Sequence, residues 1–449
     1  MLRWWPELDP AQKHALLVEL QSLDLVRLAP LIAGITSRVE QETAGDRAAR
    51  ATPPASLVRL PERGGDPAEW QRAEEMGNWL LRGKKVGAIL VAGGQGTRLG
   101  FDHPKGMFSI GPVSGNSLYQ LLSEQLVARS RAAGASIPYY IMTSSATHDE
   151  TRKFFQEHHY FGLDPDDVSF FQQASLPAVD DDGHILLDEK GKLTSSPDGH
   201  GGLLHALKHA GLLGVMADRG IEYLYYHQVD NPAAIVCDPA FLGLHALRDS
   251  EMSTKVVAKT SAAERMGVAV DVDGHTEIIE YSDLPAERAA AVGPDGKLLL
   301  WAGSTAIHVF NRAFLARLAI DGGPLPYHYA RKAIPYVNEA GERIEPTQPN
   351  GWKFEQFIFD ALPHAEATLV VEADRAREFL PVKNHDGADS PVTVQGGLLQ
   401  LYRQWLTEAG AVVAPQARIE ISPLFAADAA EVKKKIKPGQ RFDSDRCIE

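Results

Sequence analysis

Residues 91–106 read VAGGQGTRLGFDHPKG, and they follow directly on a short apolar run, Val86 to Ala92. A buried strand that ends in glycines predicts a loop whose main-chain N–H groups can face an anion, because glycine permits tight backbone turns. Arg98 and Lys105 add fixed positive charge at a spacing that suits a chain of phosphates. The stretch therefore predicts a phosphate-binding loop at the end of a strand, with its main chain approached most closely at three glycines, Gly93, Gly94 and Gly96.

This glycine loop matches neither of two common nucleotide-binding motifs. It lacks the Gly-Lys-Ser/Thr of a P-loop. A dinucleotide fingerprint needs a third glycine, but Leu99 stands where that glycine should follow Gly94-x-Gly96. No acidic residue ends a second strand near Met142. A nicotinamide-dependent oxidoreductase is therefore disfavoured.

The chain around the loop alternates predicted strands and helices. A helix is predicted at Ser117 to Ala133, and further strands are predicted at Tyr139 to Met142, Val168 to Gln172 and Ile221 to Val229. This order predicts an α/β fold with a doubly wound sheet, whose ligands bind beyond the carboxyl ends of the strands. A later hairpin, Gly267 to Tyr281, turns at Asp273-Gly274 and makes the predicted sheet a mixed one.

Changes in composition, together with helix-capping and Pro- and Gly-rich segments, divide the chain into three predicted parts. Residues 1–83 form a helical N-terminal segment with a connector, in which Asp9-Pro10-Ala11-Gln12 predicts a helix start. The connector, roughly residues 42–67, is rich in Pro and Gly and is predicted to be extended. Residues 84–385 form the main α/β domain, and residues 386–449 form a small C-terminal domain.

The composition restricts the classes of partner. A net charge of −14 argues against nucleic acid, whose phosphates need a basic surface. The N-terminal sequence has no signal-peptide pattern, and no apolar run reaches the ~18 residues that a membrane span needs. Cys237 and Cys447 form no CxxC motif, so neither a disulfide framework nor a zinc site is supported. We therefore expect a cytoplasmic protein that does not bind membranes.

The glycine loop, the Met107-Phe108 pair that follows it and IEISPLF at 419–425 together resemble the eukaryotic-type UDP-sugar pyrophosphorylases. The resemblance extends over nearly the whole chain and is closest to the branch that uses N-acetylglucosamine. It implies a nucleotidyltransferase-type sheet. It also implies a uridylyltransferase that joins UTP to N-acetylglucosamine 1-phosphate with Mg²⁺, forming UDP-N-acetylglucosamine and releasing pyrophosphate.

The same resemblance assigns residues to the nucleotide. The triphosphate would lie over residues 93–98. Gln173 would contact the uracil edge, for which an amide offers both a donor and an acceptor. Gly199 would let the main chain approach the base, beside His200. Asp230 would bind Mg²⁺, which prefers one or two carboxylates together with phosphates and water, and the neighbouring Asn231 would contact the substrate.

The sugar and the reacting phosphates are assigned in the same way. The resemblance implies that Gly267, Glu280 and Tyr281 surround the sugar, with Glu280 accepting hydrogen bonds from its hydroxyls. Lys353 is a weaker candidate for substrate contact. Three cations are assigned to catalysis: Arg98, Lys105 and Lys383.

Two departures from the family pattern leave the sugar open. His200 stands where relatives that use N-acetylglucosamine carry asparagine, and glucose-type relatives carry Gly-His-Gly. Ile307 stands where an asparagine contacts the sugar. UDP-glucose or broad-specificity UDP-sugar synthesis is therefore an alternative. A non-catalytic nucleotide-sugar binder is a second one, although the four charged site residues argue against it: Arg98, Lys105, Asp230 and Lys383.

Overall fold

A computed structural model describes residues 2–37, 44–320 and 325–449. Its main feature is a ten-stranded sheet. The strands of this sheet are β1 (Leu57–Val58), β2 (Val86–Val91), β3 (Tyr139–Thr143), β4 (Val168–Gln172), β5 (Tyr223–Gln228), β6 (Met252–Ala258), β7 (Val268–Val272), β8 (His275–Ile279), β9 (Ala302–Asn311) and β10 (Thr368–Glu372).

The sheet has the order β1-β10-β6-β9-β5-β2-β3-β4. Neighbouring strands are parallel except at β9, which is antiparallel to both β5 and β6. The hairpin of β7 and β8 joins the sheet at β9, where Val268 lies opposite Gly303. The predicted mixed sheet is confirmed, and the carboxyl ends of β2, β3, β4, β5, β6 and β10 all meet at one edge.

Helices cover both faces of the sheet. One apolar cluster joins it to α4, α5 and α9, and another joins it to α7, α8 and α11. The sheet is therefore doubly wound. Among the described residues, no helix has both the length and the apolar character needed to cross a bilayer. The helices are α1 (Pro10–Ser22), α2 (Leu25–Ser37), α3 (Ala44–Arg50), α4 (Pro67–Arg82), α5 (Leu118–Ala133), α6 (His148–Glu157), α7 (Leu203–His209), α8 (Leu212–Asp218), α9 (Pro239–Leu247), α10 (Ala286–Ala290), α11 (Arg312–Ala319), α12 (Arg375–Glu378), α13 (Pro391–Glu408) and α14 (Ala429–Lys435).

Short elements connect these layers. Short 3₁₀ helices span Leu2–Glu7, Pro61–Arg63, Thr97–Leu99, Lys105–Met107, His159–Gly162, Pro165–Asp167, His200–Gly202 and Ile358–His364. A three-stranded sheet consists of Val179–Asp180, Gly351–Glu355 and His328–Lys332. Two-stranded pairs are Ser175–Pro177 with Ser195–Pro197, Leu187–Glu189 with Lys192–Leu193, Tyr336–Val337 with Arg343–Ile344, Val412–Val413 with Arg441–Phe442, and Ile419–Ile421 with Arg446–Ile448.

The N-terminal segment partly departs from its prediction. Asp9 caps α1, and its carboxylate accepts the Gln12 N–H at 2.8 Å, as the sequence predicts. The connector is not extended throughout, because its described part begins with α3; residues 42 and 43 lie outside the described residues. Helix α3 forms here because Ala48 and the following Ala51 bury against the hairpin of β7 and β8. The connector also supplies β1, which pairs with β10.

The C-terminal unit packs against the main domain. Residues of α13 and of the strand Ile419–Ile421 belong to the same apolar cluster as α5. The Glu420 carboxylate accepts the main-chain N–H groups of Val113 and Ser114, both at 2.7 Å. The boundaries at residues 83/84 and 385/386 stay predictions.

Two glycines let α4 and α9 pack with their main chains in contact. A Cβ at Gly243 would lie 1.7 Å from the Ala73 carbonyl oxygen, and one at Gly77 would lie 1.8 Å from that of Pro239. We predict that Gly243→Ala lowers the free energy of unfolding by about 1–3 kcal/mol, because the helices must separate. Urea denaturation checks this against Gly214→Ala, an α8 site with open space around it that should lose nothing. Equal stability of the two variants would contradict the packing argument.

Candidate active site

A cleft of about 270 Å³ opens where β2, β4 and β5 end. It brings together most of the residues that the sequence assigned to the nucleotide, and it lies at the edge where doubly wound sheets bind ligands. The cleft is lined by Val91, Gly93, Gly94, Lys105, Gln173, Pro197, Gly199, His200, Gln228, Val229 and Asp230.

The glycine loop folds back on itself beside this cleft. The Gly96 N–H donates to the His103 carbonyl at 2.9 Å, and the Lys105 N–H donates to that of Gly94 at 3.1 Å. These two hydrogen bonds close the loop and bring Lys105 next to Gly94, at the end of β2. As a result, the Lys105 ammonium lies 3.6 Å from a carboxylate oxygen of Asp230, across the cleft wall. The loop thus places a cation and an anion side by side at the ends of β2 and β5.

The nucleoside side of the cleft depends on two glycines. A Cβ at Gly93 would come within 3.2 Å of the Gln173 side-chain amide, so the absence of a side chain at Gly93 leaves room for this amide. Gly199 has φ +82°, and a Cβ there would lie 2.4 Å from the Gln356 carbonyl oxygen. Larger residues at either position would displace a wall of the cleft.

His200 is fixed in one tautomer. Its Nδ1 accepts the Ile358 main-chain N–H at 3.1 Å, and its ring stacks 5.3 Å from that of Phe357. Burial, together with the smaller effect of the nearby His328, lowers the pKa of His200 to about 4. The ring is therefore neutral near pH 7, and Nε2–H is its remaining donor.

Asn231 holds the segment that leads to Lys383. Its amide nitrogen donates to the Glu378 carbonyl at 2.8 Å, and its amide oxygen accepts the Leu380 N–H at 3.0 Å. The Val382 N–H then donates to the Asp230 carbonyl at 2.8 Å. The Asn231 side chain, predicted to contact substrate, is thus buried and engaged within the protein, behind Asp230.

Lys383 lies among carboxyl groups. Its main-chain N–H donates to the Asp389 carbonyl at 2.7 Å. Burial raises the pKa of the Asp389 carboxyl, while Lys383 lowers it and the negative charge of Asp230 raises it. Burial also raises the pKa of Glu280, and Lys383 again opposes the rise. The positive charge of Lys383 therefore favours the ionised forms of two carboxyl groups, Asp389 and the predicted sugar residue Glu280.

The predicted sugar residues lie on the hairpin. Glu280 rests against Gly267, because a Cβ at Gly267 would lie 3.0 Å from a Glu280 carboxylate oxygen. Tyr281 is half-exposed beside it. Ile307 has its side chain in an apolar cluster of the core, 1% exposed. Because this side chain packs in the apolar core, an isoleucine at position 307 is explained by packing.

Besides Lys383, which does not line the cleft, two other predicted cations lie away from the cleft walls. Arg98 is exposed on the 3₁₀ turn Thr97–Leu99, just beyond the glycines. Lys353 lies on the strand Gly351–Glu355, opposite Ala330. Neither lines the cleft, so Arg98 can reach only a ligand that extends beyond it.

The cleft suits a magnesium ion held partly by substrate. Asp230 supplies a carboxylate that lines the cleft and is 15% exposed, and Asp389 lies within its electrostatic reach. One or two carboxylates with open room for phosphates is the arrangement that Mg²⁺ prefers. The residues present therefore fit this ion.

A buried ion cluster lies behind these groups, and the sequence analysis did not identify it. The Lys255 ammonium, 1% exposed, lies 2.6 Å from a carboxylate oxygen of Asp238 and contacts the Glu378 carboxylate. Asp238 caps α9, and Glu378 is the residue whose carbonyl accepts the Asn231 amide. A lysine inside the apolar strand MSTKVVA was the available signal. The cluster joins the loop after Asp230 to the segment before Lys383.

We predict that Lys255→Met lowers the free energy of unfolding by about 3–5 kcal/mol at pH 8, because two buried carboxylates lose their shared cation. Both carboxyl groups would then have folded-state pKa values above their unfolded values. A group whose pKa is raised by folding stabilises the protein most at low pH, where it is protonated. The stability lost in Lys255→Met should therefore become smaller as the pH falls towards 5.5. Thermal unfolding at several pH values checks both statements.

The double variant Lys255→Met/Glu378→Gln is the matched control. It removes one of the two repelling charges, so it should recover part of the stability lost in Lys255→Met. An unfolding temperature of Lys255→Met equal to that of the unaltered protein at pH 8 would contradict the proposed role of the ammonium.

The chain is similar in sequence and in fold to known UDP-sugar pyrophosphorylases. The chain is 38% identical to UDP-N-acetylhexosamine pyrophosphorylase-like protein 1 of Xenopus tropicalis, over 91% of this chain and 82% of that one. It is 40% identical to the UDP-N-acetylglucosamine pyrophosphorylase of Saccharomyces cerevisiae, over 75% and 73%. The solved structure of uridine diphosphate N-acetylglucosamine pyrophosphorylase from Trypanosoma brucei, in complex with an inhibitor, matches 95% of this chain and 90% of its own, with a TM-score of 0.83 and 25% identity.

A family model adds the decisive match. The model for UTP–glucose-1-phosphate uridylyltransferase matches residues 62–442, which span the glycine loop, the hairpin and most of the C-terminal unit. With this match and the relatives above, the chain belongs to the UTP–glucose-1-phosphate uridylyltransferase family of UDP-sugar pyrophosphorylases.

Proposed function

We propose that the chain transfers the uridylyl group of UTP to N-acetylglucosamine 1-phosphate, forming UDP-N-acetylglucosamine and pyrophosphate. One observation carries the proposal: a single cleft at the carboxyl edge of the sheet joins an amide, a glycine loop, a lysine and a carboxylate. These are Gln173 for the base, Gly93 and Gly94 for the phosphates, and the neighbouring charges of Lys105 and Asp230.

The reaction needs positioned substrates and no nucleophile from the protein. An ionised phosphate oxygen of the sugar 1-phosphate attacks the α-phosphorus of UTP. The bond from that phosphorus to the α–β bridging oxygen breaks, and pyrophosphate leaves with the electron pair. Holding the two anions in line and neutralising charge supply the catalysis.

Each cation has a place in this scheme. Lys105, at the base of the glycine loop, would bind the phosphates beside Asp230. Arg98, exposed beyond the loop, would meet the departing pyrophosphate, which extends furthest from the nucleoside. Lys383 would stabilise the charge that develops at the α-phosphorus, because the preceding Val382 N–H bonds to the Asp230 carbonyl and brings this lysine's segment to the end of β5.

We also propose Mg²⁺ as the cofactor, held by Asp230, with Asp389 near enough to act through its charge. When bound, this ion would neutralise oxygens of the α- and β-phosphates. A cytosolic setting completes the proposal, and the unpaired thiols of Cys237 and Cys447 favour it, because reducing compartments keep thiols free.

The preference for N-acetylglucosamine is supported by the relatives, among them the UDP-N-acetylglucosamine pyrophosphorylase of Saccharomyces cerevisiae. Because Ile307 packs in the interior, its difference from asparagine is no longer a direct sign of another sugar. His200 still favours the alternative, a UDP-glucose or broad-specificity enzyme, because its ring lines the cleft.

Pyrophosphate release from UTP and Mg²⁺ tests the proposal across a panel of sugar 1-phosphates: N-acetylglucosamine, glucose, galactose and N-acetylgalactosamine. We expect the fastest turnover with N-acetylglucosamine 1-phosphate, and its loss in Asp230→Ala. Comparable rates with glucose 1-phosphate would establish the broad-specificity alternative. Nucleotide binding without turnover of any sugar would establish the non-catalytic binder.

We predict that Lys383→Ala and Arg98→Ala each lower kcat by at least ~10²-fold, the usual cost of one preorganised charge at a reacting phosphate. Lys153→Ala is the matched control, since that ammonium lies on the surface of α6 beside Glu157 and should leave kcat unchanged. Steady-state rates, with circular dichroism to verify folding, check the prediction. Near-normal turnover in both folded variants would refute the assignment of these cations.

A further inference from the structure

Arg27 reaches from the N-terminal helices to the nucleoside side of the cleft. It lies in the first turn of α2, where its main-chain N–H donates to the Asp24 carboxylate at 3.0 Å. Its guanidinium donates to a carboxylate oxygen of Asp198 at 2.8 Å and to the side-chain oxygen of Gln356 at 3.1 Å, and it also contacts the Tyr327 hydroxyl. One side chain thus joins α2 to three segments of the main domain.

Asp198 immediately precedes the cleft residues Gly199 and His200. Its side chain is 0% exposed. Its N–H donates to the Ala174 carbonyl at 3.0 Å, and its carbonyl accepts the Gln356 N–H at 2.8 Å. The carboxylate also rests against the main chain of the turn, because a Cβ at Gly202 would lie 2.0 Å from its Oδ1. Asp198 therefore braces the turn that carries Gly199 and His200.

A buried carboxylate can brace a turn only if its charge is compensated. Arg27 is the cation that contacts it, and a guanidinium keeps its charge at every working pH. Gln356 is a second link between this guanidinium and the turn. Its side-chain oxygen accepts from Arg27, and its main-chain carbonyl accepts the Gly201 N–H at 2.8 Å. The position of the turn thus depends on a residue that contributes nothing to the cleft wall itself.

We propose that Arg27 is a positioning residue for the uridine half of the substrate: through Asp198 and Gln356 it fixes the turn that carries Gly199 and His200. The N-terminal helices are on this account part of the nucleotide site. The inference rests on the proposed function, because it takes UTP as the ligand of the cleft. It concerns binding of the nucleoside and leaves the chemistry at the α-phosphorus to Lys105, Asp230 and Lys383.

The charge of Asp198 gives the proposal a signature in pH. Burial raises the pKa of Asp198 to about 6, and Arg27 opposes that rise. Without Arg27 the carboxyl should keep its proton to higher pH and then become an unpaired buried anion as the pH rises further. Three further titratable groups lie near Arg27: burial raises the pKa of Tyr327 and lowers that of His205, and the Asp24 carboxylate accepts the Arg27 main-chain N–H.

The test is calorimetric binding of UTP with Mg²⁺ to the full chain, without sugar. We expect Arg27→Met to raise the Kd for UTP about 10-fold at pH 8, with a smaller ratio to the unaltered protein at pH 6. Arg50→Met is the matched control, because its guanidinium pairs at the surface with Asp273 and should leave the Kd unchanged. The ratio at each pH cancels the ionisation of UTP itself.

A second variant separates positioning from general loss of folding. Arg27→Met/Asp198→Asn removes the buried anion with its cation, so the pH dependence of the ratio should disappear and part of the affinity should return. In turnover, Arg27→Met should raise KM for UTP and change kcat little, because the lost interaction is equal in ground and transition states. A fall in kcat without a change in KM or Kd would overturn the proposal.

The result is distinct from that for the proposed function. If the unaltered protein binds UTP and Arg27→Met binds it equally well at both pH values, the inference fails and the proposed function stands. If the unaltered protein binds neither UTP nor a UDP-sugar, the proposed function fails, and the role of Arg27 fails with it.

Discussion

The junction between the turn at Asp230 and the segment before Lys383 is the constraint on which the site depends. Three hydrogen bonds form it: the Asn231 amide donates to the Glu378 carbonyl and accepts the Leu380 N–H, and the Val382 N–H donates to the Asp230 carbonyl. The buried Lys255 ammonium lies behind it and bridges carboxylates on both sides. Because Asn231 is buried and these bonds are internal, the junction holds Asp230 and the segment that carries Lys383 together at the carboxyl edge of the sheet, although they come from distant parts of the chain.

The charges of the site differ from those of the molecule as a whole. The chain carries a net charge of −14, whereas its cleft is lined by one cation and one anion, Lys105 and Asp230. Exposed charges are screened beyond about 8–10 Å in physiological salt, so the acidic surface has little influence within the cleft. The protein contributes fixed positions for charges and donors, which is what phosphoryl-type transfer requires. A parallel sheet provides them by ending several strands at one edge.

Local motifs gave most of the fold and much of the site in advance. The hydrogen bonds that close the glycine loop are local, from Gly96 to His103 and from Lys105 to Gly94, so the sequence is enough to predict this loop. Its strand β2 is recognisable from the short apolar run, although it pairs with β3 and β5 farther along the chain. Gln173 and Asp230 follow strands of the main sheet, whose common edge brings them together, and Gly199 joins them from the separate strand Ser195–Pro197. The capped start of α1 was predictable for the same local reason.

Other features depend on partners far along the chain. Asn231 looks like a cleft residue from its neighbour Asp230, but it bonds with Glu378 and Leu380. Helix α3 forms because the later hairpin covers it, although its own surroundings are rich in Pro and Gly. Arg27 and Lys255 are ordinary cations in sequence, and only the folded chain sets each beside a buried carboxylate.

Isotope exchange tests the central claim, direct transfer between two substrates held in one cleft, most directly. The protein is incubated with UTP, Mg²⁺ and labelled pyrophosphate, with and without N-acetylglucosamine 1-phosphate, and label entering UTP is measured. Direct transfer predicts exchange only when the sugar 1-phosphate is present, because pyrophosphate can return only to a completed UDP-sugar. Exchange with UTP alone would reveal a covalent uridylyl-protein, and absence of exchange under both conditions would contradict catalysis at this cleft.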